Sequence, residues 1–269
     1  MVVVREVRCK SALSPCRIID IPYSVNPYVG CQHGCAYCYA RFMLRYRPHA
    51  EPWGTFVDVK TNAPDVLSVQ LHKVKPKLVL LSSVTDPYQP IEAKLRLTRR
   101  CLQHLLDFDF PVTILTKSSL VTRDIDLFQQ FPSCEVGLTV TTLDEEVREN
   151  FEPTASPIEE RLKALTTLNE SGVPTYAFLG PILPILSEAS FEDLVRKLHE
   201  VGVGRVLVDR LNIKAGNWAT IGSVLEEFYP SLLPQFQRAL FIDKEYYLRV
   251  KERLGKILER EGLEYSFCY

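Results

Sequence analysis

Three cysteines in the first part of the chain have a spacing suited to chemistry at a metal centre. Cys31, Cys35 and Cys38 follow one another as C-x3-C-x2-C. Three thiolates so close together can each bind one iron of a cuboidal 4Fe–4S cluster, which leaves the fourth iron without a protein ligand. Because an iron with an open position can bind and activate a small molecule, this run predicts a reactive centre.

Two simpler metal sites remain open from the spacing alone. A structural zinc site needs four closed ligands, and Cys16 or His33 could complete such a set. A cluster that only transfers electrons needs a fourth Cys in place of the open position. Both alternatives predict a protein without catalysis at the metal.

The composition is that of a folded protein with one large α/β domain or two small ones. The chain has 269 residues, 46% of them hydrophobic, and this supplies a sizeable core. A formal net charge of -1 gives no general attraction to nucleic acid or anionic membranes. No stretch has the length of a membrane span, and residues 1–5 are too short for a signal peptide. We therefore expect a cytoplasmic location, where the eight cysteines are metal ligands, core residues or reactive thiols before they are disulfides.

Six short apolar runs, each followed by helical periodicity, predict a parallel sheet. We place the strands near 21–25, 78–82, 112–116, 135–140, 175–179 and 205–209. Strands that alternate with helices pair in parallel through right-handed crossovers. Six βα units fall short of the eight in a closed barrel, so we expect a partial (β/α)6 TIM-like barrel with a lateral opening. Capping boxes predict two of the helix starts, Ser156 with Glu159 and Ser190 with Asp193.

The alternation of strands and helices stops after residue 209. We expect residues 1–212 to form the barrel with an N-terminal extension, and residues 213–269 to form a C-terminal helical extension packed on it. The helices of this extension are expected near 220–228, 233–240 and 244–261. The cysteine run follows the first strand at its carboxyl end, where the loops of a parallel barrel converge. Motif and topology therefore predict one and the same site.

Three stretches resemble the spore photoproduct lyase-like branch of the radical S-adenosylmethionine (SAM) superfamily. They are the cysteine run with its flanks, the run SSVTDPYQP and the run LRLTRR, at residues 26–41, 82–90 and 95–100. The resemblance covers about residues 9–212 and implies an α/β partial (β/α)6 barrel with a 4Fe–4S cluster and SAM at its mouth. In that superfamily SAM chelates the open iron, and one electron cleaves it to a 5′-deoxyadenosyl radical.

Polar side chains at the ends of the second and third strands are candidate ligands for SAM. Ser83, Thr85 and Asp86 could hydrogen-bond the methionyl amino group, since such residues face the cavity of a barrel. The structural alternative is an Asp-Pro turn at Asp86. Lys117 could pair with the methionyl carboxylate, and its alternative is a solvated loop lysine.

Later strand ends and the cysteine run complete the expected cofactor site. One of Thr139, Thr141 and Thr142 could contact the ribose, with Thr139 as the candidate, although threonine is also a good strand former. The resemblance implies that the apolar turn at Pro181 borders the adenine and that Tyr37 packs toward the cofactor. We expect Glu152 and Arg161 to form an ion pair that braces a loop.

Tyr39 is the candidate catalytic residue. By the same resemblance it relays a hydrogen atom, and packing against the cluster is the alternative. Spore photoproduct lyase has a hydrogen-donating Cys in the loop after its second strand, where alignment places Ser83 in this chain. A serine O–H bond is much stronger than a thiol S–H bond, so repair of thymine dimers is not favoured. Cys9 and Cys16 remain as a hydrogen donor, ligands of a second metal, or core residues.

The sequence thus predicts a radical SAM enzyme of lyase or oxidoreductase type, acting on an unidentified substrate. The resemblance implies a reductant such as ferredoxin or flavodoxin as a partner, and no membrane is expected. One alternative is a photoproduct-type lyase that repairs or modifies nucleic acid, which would bind DNA or RNA in a salt-dependent way. The other is a non-catalytic iron–sulfur or zinc protein.

Overall fold

Two sheets and a surrounding set of helices make up residues 2–269, the part of the chain that the computed structural model describes. The strands are β1 (Val3–Val7), β2 (Leu13–Pro15), β3 (Tyr23–Val25), β4 (Tyr28–Val29), β5 (Phe56–Lys60), β6 (Val79–Leu81), β7 (Val112–Thr116), β8 (Cys134–Thr139), β9 (Thr175–Ile182), β10 (Arg205–Arg210) and β11 (Glu264–Phe267). The α-helices are α1 (Ala63–Leu71), α2 (Glu92–Leu95), α3 (Leu97–Asp107), α4 (Ile125–Phe128), α5 (Glu145–Phe151), α6 (Ile158–Glu170), α7 (Phe191–Glu200), α8 (Asn217–Phe228), α9 (Leu233–Phe241) and α10 (Tyr246–Arg260). Short 3₁₀ helices occupy Tyr39–Arg45, Ser119–Asp124 and Glu188–Ser190. Across residues 2–269, no helix has both the length and the apolar character needed to cross a bilayer.

The larger sheet is a partial parallel barrel, which confirms the predicted fold class. Its strand order is β11-β10-β9-β8-β7-β6-β3-β2. The strands from β11 to β3 pair in parallel, whereas β2 runs antiparallel to β3 at the edge. Within the described chain the two edge strands do not pair with each other, so the barrel is open on one side.

The C-terminal segment forms three helices near the predicted positions, α8 to α10, but it ends in a strand that was not predicted. Helix α10 ends at Arg260, and Glu264–Phe267 forms β11, a seventh parallel strand beside β10. Exposed and half-buried residues alternate along β11, as expected for a strand with one covered face. Four residues are too short a run for that period to be recognised, and the partner strand lies more than fifty residues earlier. The division of the chain at residue 212 stays a prediction.

A second, smaller sheet near the N-terminus was not predicted. β1 and β5 pair in parallel from Val3↔Phe56 to Val7↔Lys60, and β4 pairs antiparallel with β5. β5 is almost wholly buried, whereas β1 lies at the edge and is largely exposed. This sheet covers the segment that carries the cysteines.

The main core lies between the outer face of the barrel strands and the helices. Val136 and Leu138 of β8 share one hydrophobic cluster with Leu194 of α7 and Leu254 of α10. Because side chains alternate along a strand, the intervening residues face the inside of the barrel. Inside the barrel the Tyr176 hydroxyl donates to the Ile114 carbonyl at 3.0 Å. The Tyr176 ring lies against Gly137 and fills the space that a side chain there would occupy.

The two predicted capping boxes do not form. Ser156 lies just before α6, and its Oγ accepts from the Ser119 N–H at 2.9 Å. Ser190 precedes α7, and its Oγ accepts from the Leu143 N–H at 3.2 Å. Each hydroxyl therefore connects its helix start to the loop after a neighbouring strand. The N–H groups of those loops take the acceptor that a capping box would have used.

Candidate active site

The three cysteines lie in one loop at the carboxyl edge of the barrel. β3 ends at Val25, the short strand β4 follows, and Cys31, Cys35 and Cys38 come next. Cys31 and Cys35 are buried, Cys38 is half-buried, and all three are free thiols. Burial raises the pKa of each thiol, that of Cys35 to about 12. Burial thus favours the neutral thiol. Metal binding reverses this preference, because the metal takes the thiolate as its ligand.

The arrangement of the thiols differs from a single-metal site. Across residues 2–269, no three Cys, His, Asp or Glu side chains converge on one point as the ligands of one metal ion do. His33, a possible fourth zinc ligand, has its Nδ1 3.3 Å from the Asp86 carboxylate instead. Thiolates that bind different irons of a cluster lie farther apart than the ligands of one ion, so three separated thiols are compatible with a cluster.

Two buried donors beside the cysteines support the same fit. Trp53 Nε1 and Arg41 Nε have no nitrogen or oxygen acceptor among the described residues. Trp53 packs with Cys31 and Cys38, and Arg41 Nη2 donates to the Cys35 and Ala36 carbonyls at 3.4 Å. Buried donors nearly always have a partner. The sulfur atoms of an iron–sulfur cluster accept hydrogen bonds, so these residues fit such a group.

Asp86 connects three loops at the mouth of the barrel. Its Oδ1 accepts from Thr116 Oγ1 at 2.6 Å and from the Tyr88 N–H at 2.8 Å. Its Oδ2 accepts from the Lys117 N–H at 2.9 Å and faces His33 of the cysteine loop. Burial alone would raise the pKa of Asp86, but His33 and the hydrogen bonds lower it to about 2. The contact with Tyr88 is the Asp-Pro turn that was the structural alternative for this residue.

The structure brings Ser83 and Thr85 next to the cysteine loop, with their hydroxyls already paired. Thr85 Oγ1 donates to the Gly30 carbonyl at 2.5 Å, and Asn26 Nδ2 donates to Ser83 Oγ at 3.2 Å. The Tyr39 hydroxyl donates to the Ser83 carbonyl, while 47% of Tyr39 stays exposed. The structure thus places Tyr39 beside the loop after β6, and its role in hydrogen transfer stays a prediction.

A buried charge network supports the loop at Tyr37. Arg161 and Glu152, each 1% exposed, form the expected ion pair, and the Tyr37 hydroxyl donates to Glu152. Lys117 Nζ lies 5.7 Å from the centroid of the Tyr37 ring. Burial lowers the pKa of Lys117, but the nearby Cys35 and Glu152 outweigh it and raise the pKa overall. Lys117 is therefore a cation held beside the cysteine loop.

Thr139 and Pro181 lie at the ends of β8 and β9. Thr139 is 1% exposed, and its Oγ1 has no partner in the described part of the chain. Its carbonyl accepts from Arg161 Nη1 at 2.9 Å, which fixes the strand end. Pro181 is the last residue but one of β9, which continues to Ile182, so the turn predicted at Pro181 begins later in the chain.

Two amides that sequence reasoning missed hold the cysteine loop from distant parts of the chain. Gln89 Oε1 accepts from the Gln32 N–H at 2.9 Å, across 57 residues. Asn217 Nδ2 donates to the Tyr37 carbonyl at 2.9 Å, across 180 residues. Both amides are fully buried. No spacing in the sequence signals either contact.

Two glycines let the small sheet press against the cysteine loop. Gly30 has φ +83°, and a Cβ there would lie 2.5 Å from the Phe56 carbonyl oxygen. Gly54 has φ +97°, and a Cβ there would lie 2.8 Å from Gly34 Cα. Only glycine combines this backbone conformation with so close an approach. The contact places Trp53 beside the cysteines.

Comparison with known proteins agrees with this geometry. A family model for the radical SAM superfamily matches residues 25–198. An uncharacterized protein of Methanocaldococcus jannaschii is 41% identical over 186 residues, 69% of this chain and 70% of that protein. A protein of Pseudomonas phage M6, named radical SAM Nalpha-GlyT isomerase, is 24% identical over 263 residues, 91% of this chain and 53% of its own length. Spore photoproduct lyase with bound AdoMet and dinucleoside spore photoproduct superposes with a TM-score of 0.71 at 15% identity, over 100% of this chain and 82% of that one, which shows a shared fold.

Proposed function

This chain belongs to the radical SAM superfamily, and we propose that it uses radical chemistry to abstract a hydrogen atom from an organic substrate. Its cofactors are a 4Fe–4S cluster and SAM. Together they supply a 5′-deoxyadenosyl radical when an electron cleaves the sulfonium bond of SAM. The observation that supports the proposal most strongly is the loop of three buried free thiols at the carboxyl edge of a partial barrel.

We assign the cofactor contacts to side chains that the fold leaves available. Cys31, Cys35 and Cys38 bind three irons as thiolates. The cation of Lys117 attracts the methionyl carboxylate of SAM, since it is held beside Cys35. The buried, unpaired hydroxyl of Thr139 binds the ribose.

The other predicted residues act at the edges of this site. The side-chain oxygens of Asp86, Thr85 and Ser83 are already paired within the protein, so they position the loops around SAM. Pro181 borders the adenine. Tyr37, whose hydroxyl donates to Glu152, packs toward SAM. These contacts exclude water from the place where the radical forms.

Tyr39 is the residue that we propose to face the substrate. Its phenol is anchored on the Ser83 carbonyl and its ring is partly open to solvent. A ring in that position contacts both the cofactor site and whatever enters the open side of the barrel. The net reaction, of lyase or oxidoreductase type, depends on the substrate that Tyr39 contacts.

Cys35→Ala is expected to abolish cluster binding and the formation of 5′-deoxyadenosine, because only two thiolates remain. The test is anaerobic reconstitution, dithionite reduction and electron paramagnetic resonance with and without SAM, with 5′-deoxyadenosine assayed in the same sample. Cys268→Ala, which removes an exposed thiol, is the matched control. A Cys35→Ala protein that keeps its cluster and activity would contradict the proposal. Wild-type protein with zinc, or with a full cluster that does not respond to SAM, would favour the non-catalytic alternative.

One surface favours nucleic acid as a second candidate class of substrate. Tyr39, Phe42 and Tyr46 form an aromatic row with ring centroids 6.3 and 6.5 Å apart, starting next to Cys38. Arg45 beside this row is exposed, whereas Arg47 pairs with Asp58 and Arg41 donates to the Cys35 carbonyl. Exposed aromatic rings beside guanidinium groups bind single strands by stacking on bases and pairing with phosphates. This local pattern differs from the net charge of -1 for the whole chain.

Fluorescence anisotropy with a labelled single-stranded oligonucleotide tests this second candidate. Tyr46→Ala is expected to weaken binding by about 1–3 kcal/mol through lost stacking. Arg45→Gln is expected to reduce the slope of log K against log salt by about one. Arg196→Gln, on an exposed face of α7, is the control. No binding of DNA or RNA at about 50 mM salt would eliminate the candidate.

A further inference from the structure

We propose that Trp53 donates its indole N–H to a sulfur atom of the cluster and thereby makes the cluster easier to reduce. The inference rests on the proposed cluster site at the three cysteines. Trp53 is 7% exposed, yet its Nε1 has no nitrogen or oxygen acceptor among residues 2–269. A buried N–H without a partner is rare in proteins, and it indicates an acceptor that the protein itself does not supply.

The neighbours of Trp53 indicate what that acceptor is. Trp53 belongs to a hydrophobic cluster with Cys31, Ala40 and Phe56, against which Cys38 packs. Cys31 and Cys38 are two of the three thiols that would bind iron, and the indole packs against them. An acceptor that arrives with the iron, a sulfur of the cluster, is therefore the one within reach of the N–H.

Packing prevents the indole from turning away from the cysteines. Its ring meets Phe56 edge to face at 5.9 Å, and His49 stacks on the other side of Phe56 at 3.8 Å. The close approach of Gly54 to Gly34 joins the segment of Trp53 to the cysteine loop. The donor is thus held in place before any cluster binds.

A donor in this position raises the reduction potential of the cluster. Reduction adds one electron, so the reduced cluster carries one more negative charge on its irons and sulfurs. Hydrogen bonds to the sulfurs stabilise that charge, and they are one of the factors that set the potential of iron–sulfur clusters. Arg41, whose buried Nε also lacks an oxygen or nitrogen acceptor in the described chain, adds a positive charge on the same side. Trp53 is a positioning residue, since it acts through the cluster.

Trp53→Phe tests the inference through the reduction potential. We expect the midpoint potential to become more negative by up to about 59 mV, which is a tenfold change for a one-electron couple. The iron content should stay at the wild-type level. The measurement is a redox titration followed by electron paramagnetic resonance. Electron–nuclear double resonance in H2O and D2O should show an exchangeable proton coupled to the wild-type cluster and its loss in the variant.

Two further proteins separate the hydrogen bond from packing. Benzothienylalanine at position 53 keeps the shape of the indole but lacks the N–H, and it should reproduce the shift of Trp53→Phe. Tyr265→Phe removes a ring donor on the C-terminal strand, where the hydroxyl donates to Glu259 Oε1 at 2.7 Å, and it should leave the potential unchanged. An unshifted potential in both Trp53 proteins, or a proton coupling that survives in either of them, would overturn the inference.

The same measurements distinguish this inference from the proposed function. If Trp53→Phe loses its cluster, the benzothienylalanine protein decides the matter. If the wild-type protein binds no iron, the cluster site fails and the inference fails with it. A wild-type cluster that responds to SAM, together with an unshifted potential in both Trp53 proteins, would overturn the role of Trp53 alone.

Discussion

Asp86 shows how one buried carboxylate can organise a site through the loops around it. Its two oxygens accept from Thr116, Tyr88 and Lys117 and face His33, so every acceptor position has a use inside the protein. Thr139 is the opposite case, because its buried hydroxyl is unpaired. Both are polar residues after barrel strands, and their types alone do not distinguish the two roles.

Asp86→Asn is expected to destabilise the protein and to remove part of its pH dependence. The pKa of Asp86 falls from an ordinary 3.8 to about 2 in the folded state. A lowered carboxyl pKa stabilises the folded state above the ordinary value, and this contribution is lost as the pH falls from about 4 to about 2. It amounts to roughly 2 kcal/mol at neutral pH.

Urea unfolding of the apoprotein across this pH range measures the effect. The Asn variant should unfold with a shallower dependence on pH than the wild type, since it has no carboxyl group to titrate. Asp107→Asn, at an exposed helix end, is the control. Identical pH profiles for wild type and Asp86→Asn would contradict this account.

At the scale of elements, local sequence predicts the parallel strands but not how the connections between them pack. The runs predicted at 112–116 and 205–209 appear as Val112–Thr116 and Arg205–Arg210, because buried apolar runs identify strands of a parallel sheet. The contact between residues 53–56 and 30–34 has no such signal. It depends on two glycines with positive φ whose backbones approach another segment.

Gly54→Ala is expected to cost more stability than Gly216→Ala. Both glycines have positive φ, at +97° and +76°, so each substitution places alanine in a disfavoured conformation at about 1–2 kcal/mol. Nothing lies within 4 Å of a Cβ at Gly216, whereas one at Gly54 would lie 2.8 Å from Gly34 Cα. The overlap should add about 1–3 kcal/mol.

Urea unfolding of the two apoproteins gives the difference directly. Iron content after reconstitution should fall in Gly54→Ala as well, since Trp53 and the cysteine loop separate. Gly216→Ala should load iron as the wild type does. Equal losses of stability would show that residues 53–56 and 30–34 do not press on each other.

At the scale of the whole molecule, the C-terminal segment completes the barrel and the site. β11 extends the parallel sheet beyond β10, and α10 packs on α7 in the main core. Asn217 reaches from the start of α8 to the carbonyl of Tyr37. The cysteine loop is therefore held jointly by the first and the last parts of the chain.

Local patterns specify a large part of this protein. The spacing of Cys31, Cys35 and Cys38 predicts a metal centre and is typical of a cluster with an open iron, and the alternating apolar runs predict a parallel α/β barrel. Both are short-range properties, because a few neighbouring residues supply the thiolates or the buried face. Tertiary structure alone decided which strand-end hydroxyls are free, that a small sheet covers the cysteines, and that Trp53 lies beside them. Those outcomes depend on contacts between distant segments, such as the pairing of β1 with β5 and the approach of Gly54 to Gly34, where the partner is selected by the packing of the chain and not by its local sequence.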